Sequence, residues 1–252
     1  MIDEPFAAED SLIHRLDPRI RMVSAAAYSC VVAVCREFPV LIAALVLSIT
    51  LVGLARLRIS EVIKRLVVVN GLVFFLWLVI PFTFPGDALF RIGPLGASRE
   101  GIALAGQITL KSNAIILAFM ALVTTMPLST LGHALNRLRV PDKIVHLLLM
   151  TYRYIFVIEE EYQRLMRATR VRGFQPRTNL HTYRTYAYVV GMLFVRAAER
   201  AERVHQAMLC RGFKQKFYSL HEFRAGRSGW MFALLMMVVL LLLVALERGA
   251  LL

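Results

Sequence analysis

Apolar runs of membrane length alternate with short charged punctuation through the first half of the chain, and one more such run lies near its end. Residues 22–35 and Phe38–Ala55 flank Arg36-Glu37, with Pro39 just beyond, which predicts a helical hairpin whose turn sits at a membrane surface. The first window holds roughly 14 residues, fewer than the ~20 needed to cross a ~30 Å hydrocarbon core, so it must recruit flanking residues to span. Residues 66–84 predict a third span, ended by Pro81, Pro85 and Gly86. Residues 101–126 predict a fourth, interrupted by Lys111, which is read as close enough to an end for its ammonium to snorkel to the headgroups. Residues 229–246, almost all Leu, Val and Met, predict the fifth.

Between the fourth and fifth runs the pattern changes to helical amphipathicity. Leu128, Leu131, Leu135 and Leu138 alternate at three and four, with His133, Asn136, Arg137 and Arg139 on the other face and Pro141 as a stop, predicting a short helix over about 128–139 along the membrane surface. Ile144, Leu148, Thr151, Tyr152, Ile155, Ile158, Tyr162, Leu165 and Thr169 then carry the same spacing through about seven turns, predicting a long helix over about 143–172. A third helix is predicted over about 182–211. Its small residues Ala187, Gly191, Ala198 and Ala201 lie near one face, where two backbones can approach, so the two long helices are expected to cross there. The chain thus reads as an all-α integral membrane protein with about five transmembrane helices. Four lie in 1–126, a coupling segment fills 127–228, and a last span and tail occupy 229–252.

Composition supports the membrane class and charge sets the orientation. Hydrophobic residues make up 58% of the 252 positions, above the share in soluble domains. The 30 Lys and Arg outnumber 17 Asp and Glu, and a membrane protein carries such an excess in loops or interfaces. Arg15, Arg19 and Arg21 precede the first window and Arg56, Arg58, Lys64 and Arg65 follow the second, while 127–228 holds about 18 basic and 7 acidic residues. With five crossings all three clusters fall on one side, which the positive-inside rule makes the cytoplasm; Glu247-Arg248 then lies outside. The acidic start, Met1 to Pro5, has no apolar core before Met22 and does not read as a cleavable leader.

The coupling segment writes one tripeptide twice. Arg172-Gly173-Phe174 and Arg211-Gly212-Phe213 stand 39 residues apart, each at the end of a long charged helix. Arg in a final turn, Gly as a left-handed cap and an apolar residue folding back onto its helix are the elements of a helix stop, and each copy can be read as that alone. The duplication supports a second reading, two equivalent docking points for two equivalent partners.

These residues resemble a known family. Leu138-Arg139-Val140-Pro141, Leu149-Met150-Thr151-Tyr152-Arg153-Tyr154, Arg170-Val171-Arg172-Gly173-Phe174 and Ala207-Met208-Leu209-Cys210-Arg211-Gly212-Phe213 look like the transmembrane T component of energy-coupling factor (ECF) transporters, in the CbiQ branch, and Leu16-Asp17-Pro18-Arg19 also matches that family. The resemblance runs over essentially the whole chain. It implies a subunit of the cytoplasmic (inner) membrane of a bacterium or archaeon that joins two ATP-binding-cassette ATPases to a substrate-binding membrane subunit of the CbiM kind, with or without a small accessory membrane subunit. Arg172 and Arg211 are then the docking arginines, Gly173 and Gly212 complete the signatures, and Val171, Phe174, Cys210 and Phe213 support the helix ends. Val171 and Cys210 stand where the family usually has Ala. The cargo implied is cobalt for cobalamin synthesis, with nickel or a vitamin as alternatives.

Other chemistry finds little support in the sequence. The phosphate-cradling pattern that ends in Gly-Lys-Ser/Thr is absent, and Gly93-Pro94-Leu95-Gly96 lacks its lysine, so any ATPase is expected on another chain. Cys30, Cys35 and Cys210 and the six scattered histidines show no metal-ligand pairing. No catalytic, cofactor-binding or metal-binding residue is assigned, and the chain is read as a non-enzyme. Glu159-Glu160-Glu161 reads as pairing along its helix with the arginines between Arg153 and Arg167. Arg196, Glu199, Arg200, Glu202 and Arg203 form a similar mixed face. The basic excess suits anionic lipid headgroups and not nucleic acid. A membrane scaffold with a basic cytoplasmic lobe is the alternative outside transport.

Overall fold

The computed structural model describes residues 16–84, 88–92, 95–138, 140–213 and 227–250. Arg15, Pro85, Gly86, Gly93, Pro94, Arg139, His14 and His221, all used above, lie outside them. The described residues form eight helices and one hairpin: α1 (Pro18–Val34), α2 (Phe38–Ala55), α3 (Ile59–Thr83), β1 (Ala88–Ile92), β2 (Leu95–Ser98), α4 (Arg99–Leu122), α5 (Leu128–Arg137), α6 (Asp142–Val171), α7 (Leu180–Cys210) and α8 (Arg227–Ala250). The fold class is that of an all-α membrane protein, with the antiparallel β1–β2 pair as a small addition between α3 and α4. The chain divides into two compact units, one of α1–α4 and α8 and one from Gly132 through α7.

In the first unit, α2, α3, α4 and α8 are each long and apolar enough to cross a bilayer. Helix α1 has 17 residues, about 26 Å, short of the ~30 Å hydrocarbon thickness. It starts four residues before its apolar window because Pro18 fits the first helical position and the Asp17 carboxylate accepts the Arg19 N–H at 3.0 Å. Small residues let the helices close up: Ala44, Ala105, Ala114, Ala118 and Ala121 are all buried. Within this apolar core the Tyr28 hydroxyl donates to the Ala44 carbonyl at 2.8 Å and contacts the Ser48 hydroxyl at 2.7 Å, and Ser48 also lies 2.8 Å from the Ala114 carbonyl. One polar knot thereby ties α1, α2 and α4.

Two basic residues act differently from their sequence-based reading. Lys111 is not near an end; it is midway along α4, and its ammonium donates to the Ala33 carbonyl at 2.9 Å, where α1 runs out of helical donors. Arg21, counted above as a marker of membrane side, is 2% exposed. It donates to the Leu122 carbonyl at 3.0 Å and to the Thr125 hydroxyl, satisfying the C-terminal end of α4. The α1–α2 turn is held in the same manner. Glu247 of α8 accepts the Arg36 and Glu37 N–H groups at 2.7 and 3.4 Å, and Gln107 donates to the Arg36 carbonyl at 2.8 Å.

The second unit is an antiparallel pair, α6 and α7, joined near its start by the end of α5. Gly132 of α5 lets α6 come close, since a Cβ there would stand 2.6 Å from Leu149 Cδ2 and that side chain would have to shift. The Asn136 amide donates to Asp142 at 2.6 Å across the same junction.

Candidate functional site: two helix tips on an antiparallel pair

The two Arg-Gly-Phe segments close their helices with the same hydrogen-bond pattern. At the end of α6 the Gly173 N–H donates to the Arg170 carbonyl at 3.0 Å and the Phe174 N–H to the Thr169 carbonyl at 3.2 Å. At the end of α7, Gly212 donates to Leu209 at 2.9 Å and Phe213 to Met208 at 3.0 Å. This is the Schellman arrangement, and it needs the residue after the cap in the left-handed region. Gly173 has φ +82° and Gly212 φ +77°, where an L side chain is strained, so glycine is dictated at both positions.

Each cap presents its arginine outward. Arg172 and Arg211 are exposed, and neither guanidinium has an ion-pair or hydrogen-bond partner among the described residues. A guanidinium offers five donors in a rigid planar fork, so each tip is free to engage carboxylates or carbonyls on another surface. Val171 is 89% exposed and Cys210 is exposed. The atoms by which they exceed Ala therefore point outward, not into the interior of this unit.

The phenylalanines go to the neighbouring helix, whereas the cap pattern alone suggested a contact back onto their own. Phe174 meets Tyr186 edge-on at 5.8 Å between ring centres and His181 at 6.3 Å, both on α7. Phe213 meets His146 of α6 at 6.2 Å. Burial lowers the His146 pKa, so this imidazole is biased to its neutral form. With one tip beside the start of α7 and the other beside the start of α6, the two arginines lie at opposite ends of the pair. At 1.5 Å per helical residue that places them about 40 Å apart.

Between the tips the helices face each other across grooves. One of about 420 Å³ is lined by apolar groups including Leu147, Met150, Tyr154, Ile158, Leu193 and Val204. Another, of about 410 Å³, lies at the Arg172 end and includes Leu165, Thr169, Phe174 and Val189. Near the middle, the Glu161 carboxylate accepts from Arg164 of its own helix at 3.1 Å and from Arg196 of α7. The Arg196 hydrogen bond, helped by the charges of Arg196, Arg164 and Arg200, holds the Glu161 pKa below its ordinary value against the opposing effect of burial.

The expected close approach through small residues is not how α6 and α7 meet. Ala187, Gly191, Ala198 and Ala201 are exposed, a Cβ added at Gly191 would touch nothing within 4 Å, and only Ala201 of the four reaches the groove. Val189, Leu193, Arg196 and Arg200, spaced at four, three and four, face α6 instead. Of the Glu159–Glu161 run, Glu161 pairs locally with Arg164, and α7 carries an Arg203–Glu199 contact at 3.8 Å. The link from Glu161 to Arg196 lay beyond sequence reading. Its two ends are 35 positions apart, and nothing local distinguishes Glu161 from Glu159 or Glu160. Among the described residues no group of three His, Cys, Asp or Glu is placed to hold a metal ion.

Comparison with known proteins gives this geometry its context. The family of cobalt transport proteins designated CbiQ matches residues 9–222. The cobalt transport protein CbiQ of Rhodobacter capsulatus is 31% identical over 128 residues, covering 50% of this chain and 52% of that protein. The chain thus spans about half the length of that relative. The energy-coupling factor transporter transmembrane protein EcfT of Bacillus subtilis is 28% identical over 225 residues, 85% of each chain. Its counterpart in Acidaminococcus fermentans is 26% identical over 256 residues, 95% of this chain and 94% of that one.

Proposed function

This chain belongs to the CbiQ cobalt transport protein family, and from that premise we propose that it is the energy-coupling transmembrane subunit of an ECF-type ABC importer. It joins two ATPase subunits to a substrate-binding membrane subunit of the CbiM kind, a small accessory membrane subunit included where the transporter has one. The cargo is cobalt, destined for cobalamin synthesis; the family description and the Rhodobacter relative support this choice over nickel or a vitamin. The relatives named above are transporter membrane components, and this chain works without an ATP site or catalytic residue of its own.

The observation that carries the coupling role is the pair of identical caps, each with an exposed arginine that has no partner among the described residues, at opposite ends of one antiparallel helix pair. Arg172 docks on one ATPase and Arg211 on the other, through charge-assisted bonds in an acidic groove. Gly173 and Gly212 hold the tips in shape, Phe174 and Phe213 fasten them to the neighbouring helix, and Val171 and Cys210 sit at the docking surface. When ATP draws the ATPases together, the tips move with them and α6 and α7 pass the displacement on as stiff elements. Large exposed apolar groups on these helices, among them Ile155, Ile158, Tyr188 and Phe194, suit contact with membrane partners or lipid.

The subunit resides in the cytoplasmic membrane with its N-terminus and 127–228 inside. The basic clusters support this orientation. The Glu247 contact with the α1–α2 turn supports the number of crossings and not the direction, since it needs both ends on one side of the membrane.

Affinity purification in detergent tests the reading. The native chain is expected to bring down two ATP-binding-cassette subunits and a membrane partner whose identity reports the cargo. Arg172→Ala with Arg211→Ala is expected to lose the ATPases, each buried charged contact being worth a few kcal/mol, about 2 to 5. Full retention of the ATPases by the double variant would reduce the tips to helix stops and favour a membrane scaffold.

A further inference from the structure

We propose that the Glu161–Arg196 pair is a brace that fixes the spacing and direction of the two arginine tips, so that both residues are positioning residues for coupling. The inference rests on the function proposed above.

Three specific side-chain contacts described above link α6 to α7. At each end an aromatic contact fastens a tip, Phe174 on Tyr186 and Phe213 on His146. Between them the helices face each other across grooves, and of the small-residue stripe that could have locked two backbones together only Ala201 reaches them. Glu161 and Arg196 both line the groove of about 420 Å³, each four residues from a residue of the other groove, Leu165 and Met192. The Glu161 side chain is only 12% exposed, and its two oxygens are divided between the helices, one to Arg164 of α6 and one to Arg196 of α7. Arg164 thereby holds the carboxylate in the orientation that Arg196 needs.

The brace acts by geometry more than by strength. Phe174 lies thirteen residues beyond Glu161, and Phe213 seventeen beyond Arg196, which makes lever arms of about 20 and 25 Å. A rotation of about 5° at the brace therefore displaces a tip by roughly 2 Å over a 20 Å arm. Two guanidinium forks that must meet fixed acceptors at a set separation cannot both absorb that error, because their directional bonds weaken steeply with misalignment, although either can still dock alone. Loss of the brace should thus degrade coupling while each arginine remains able to bind.

Spin labels report the spacing directly. In a chain carrying Cys30→Ser, Cys35→Ser and Val171→Cys, labels at 171 and at the native Cys210 sit beside the two tips. The braced chain is expected to give a narrow distance distribution around 40 Å. Glu161→Gln and Arg196→Gln should each broaden it. In unlabelled chains each should lower cargo uptake about threefold or more, with ATPase co-purification retained because the tips are intact. The doubly substituted chain should be no worse than the worse single one, as a shared interaction requires. Unchanged distance widths in both single variants, or losses that add in the double variant, would overturn the brace. The coupling function fails by a separate sign, a native chain that brings down no ATPase, and the distance distributions still judge the brace in that case.

Discussion

Arginine and glycine divide the work at each tip, one supplying charge and the other the backbone turn that presents it. Because a Cβ at Gly173 or Gly212 would meet no atom within 4 Å, replacement by Ala costs only the left-handed backbone strain, about 1–2 kcal/mol. Gly173→Ala and Gly212→Ala are therefore expected to fray the last turn. Hydrogen exchange at the Phe174 and Phe213 amides should accelerate while exchange in the middle of α6 and α7 is unchanged. Equal protection in variant and native chains would show that the caps do not hold the tips. These residues were legible in the sequence because capping is a local affair settled within six positions. Arg21 was not. Counted as a loop charge, it is buried, and its acceptors are 101 and 104 positions away, so no local rule reaches them.

Helix existence followed from pattern, but helix faces did not. The apolar and amphipathic periods anticipated α6 and α7 to within a few residues. The small-residue stripe on α7 nevertheless misled, because it shows where a backbone could approach and not whether a partner comes there. The face that is used carries Arg196, whose partner Glu161 makes the contact sensitive to acid. With its pKa lowered in the folded state, Glu161 contributes its stabilisation fully above its ordinary value near 4.5, and this is lost as the pH falls through the lowered value. Amides of α6 and α7 around Glu161 and Arg196 are thus expected to exchange faster, relative to the chemical rate, at pH 3.5 than at pH 7. Glu161→Gln should abolish the part of that change due to this carboxyl. A pH response identical in native and variant chains would assign it to other groups.

For the whole molecule, the proposed orientation and docking converge on Cys210, an exposed thiol next to Arg211. In a Cys30→Ser background, a membrane-impermeant thiol reagent is expected to label Cys210 in inside-out vesicles stripped of ATPases and not in right-side-out ones. Bound ATPases should protect it. Labelling from the outer face would reverse the topology, and labelling indifferent to the ATPases would separate the α7 tip from docking.

The sequence by itself determined the membrane class, four apolar helices long enough to span, the two long helices and the duplicated caps, since each depends on neighbours within a few turns and on transfer of side chains from water. Only the tertiary structure decided that Arg21 and Lys111 finish other helices, that Glu247 holds the α1–α2 turn, and that Glu161 meets Arg196. The physical reason is the same in each case. A buried or half-buried polar group takes whichever partner the packing brings within reach, and that partner can stand anywhere along the chain.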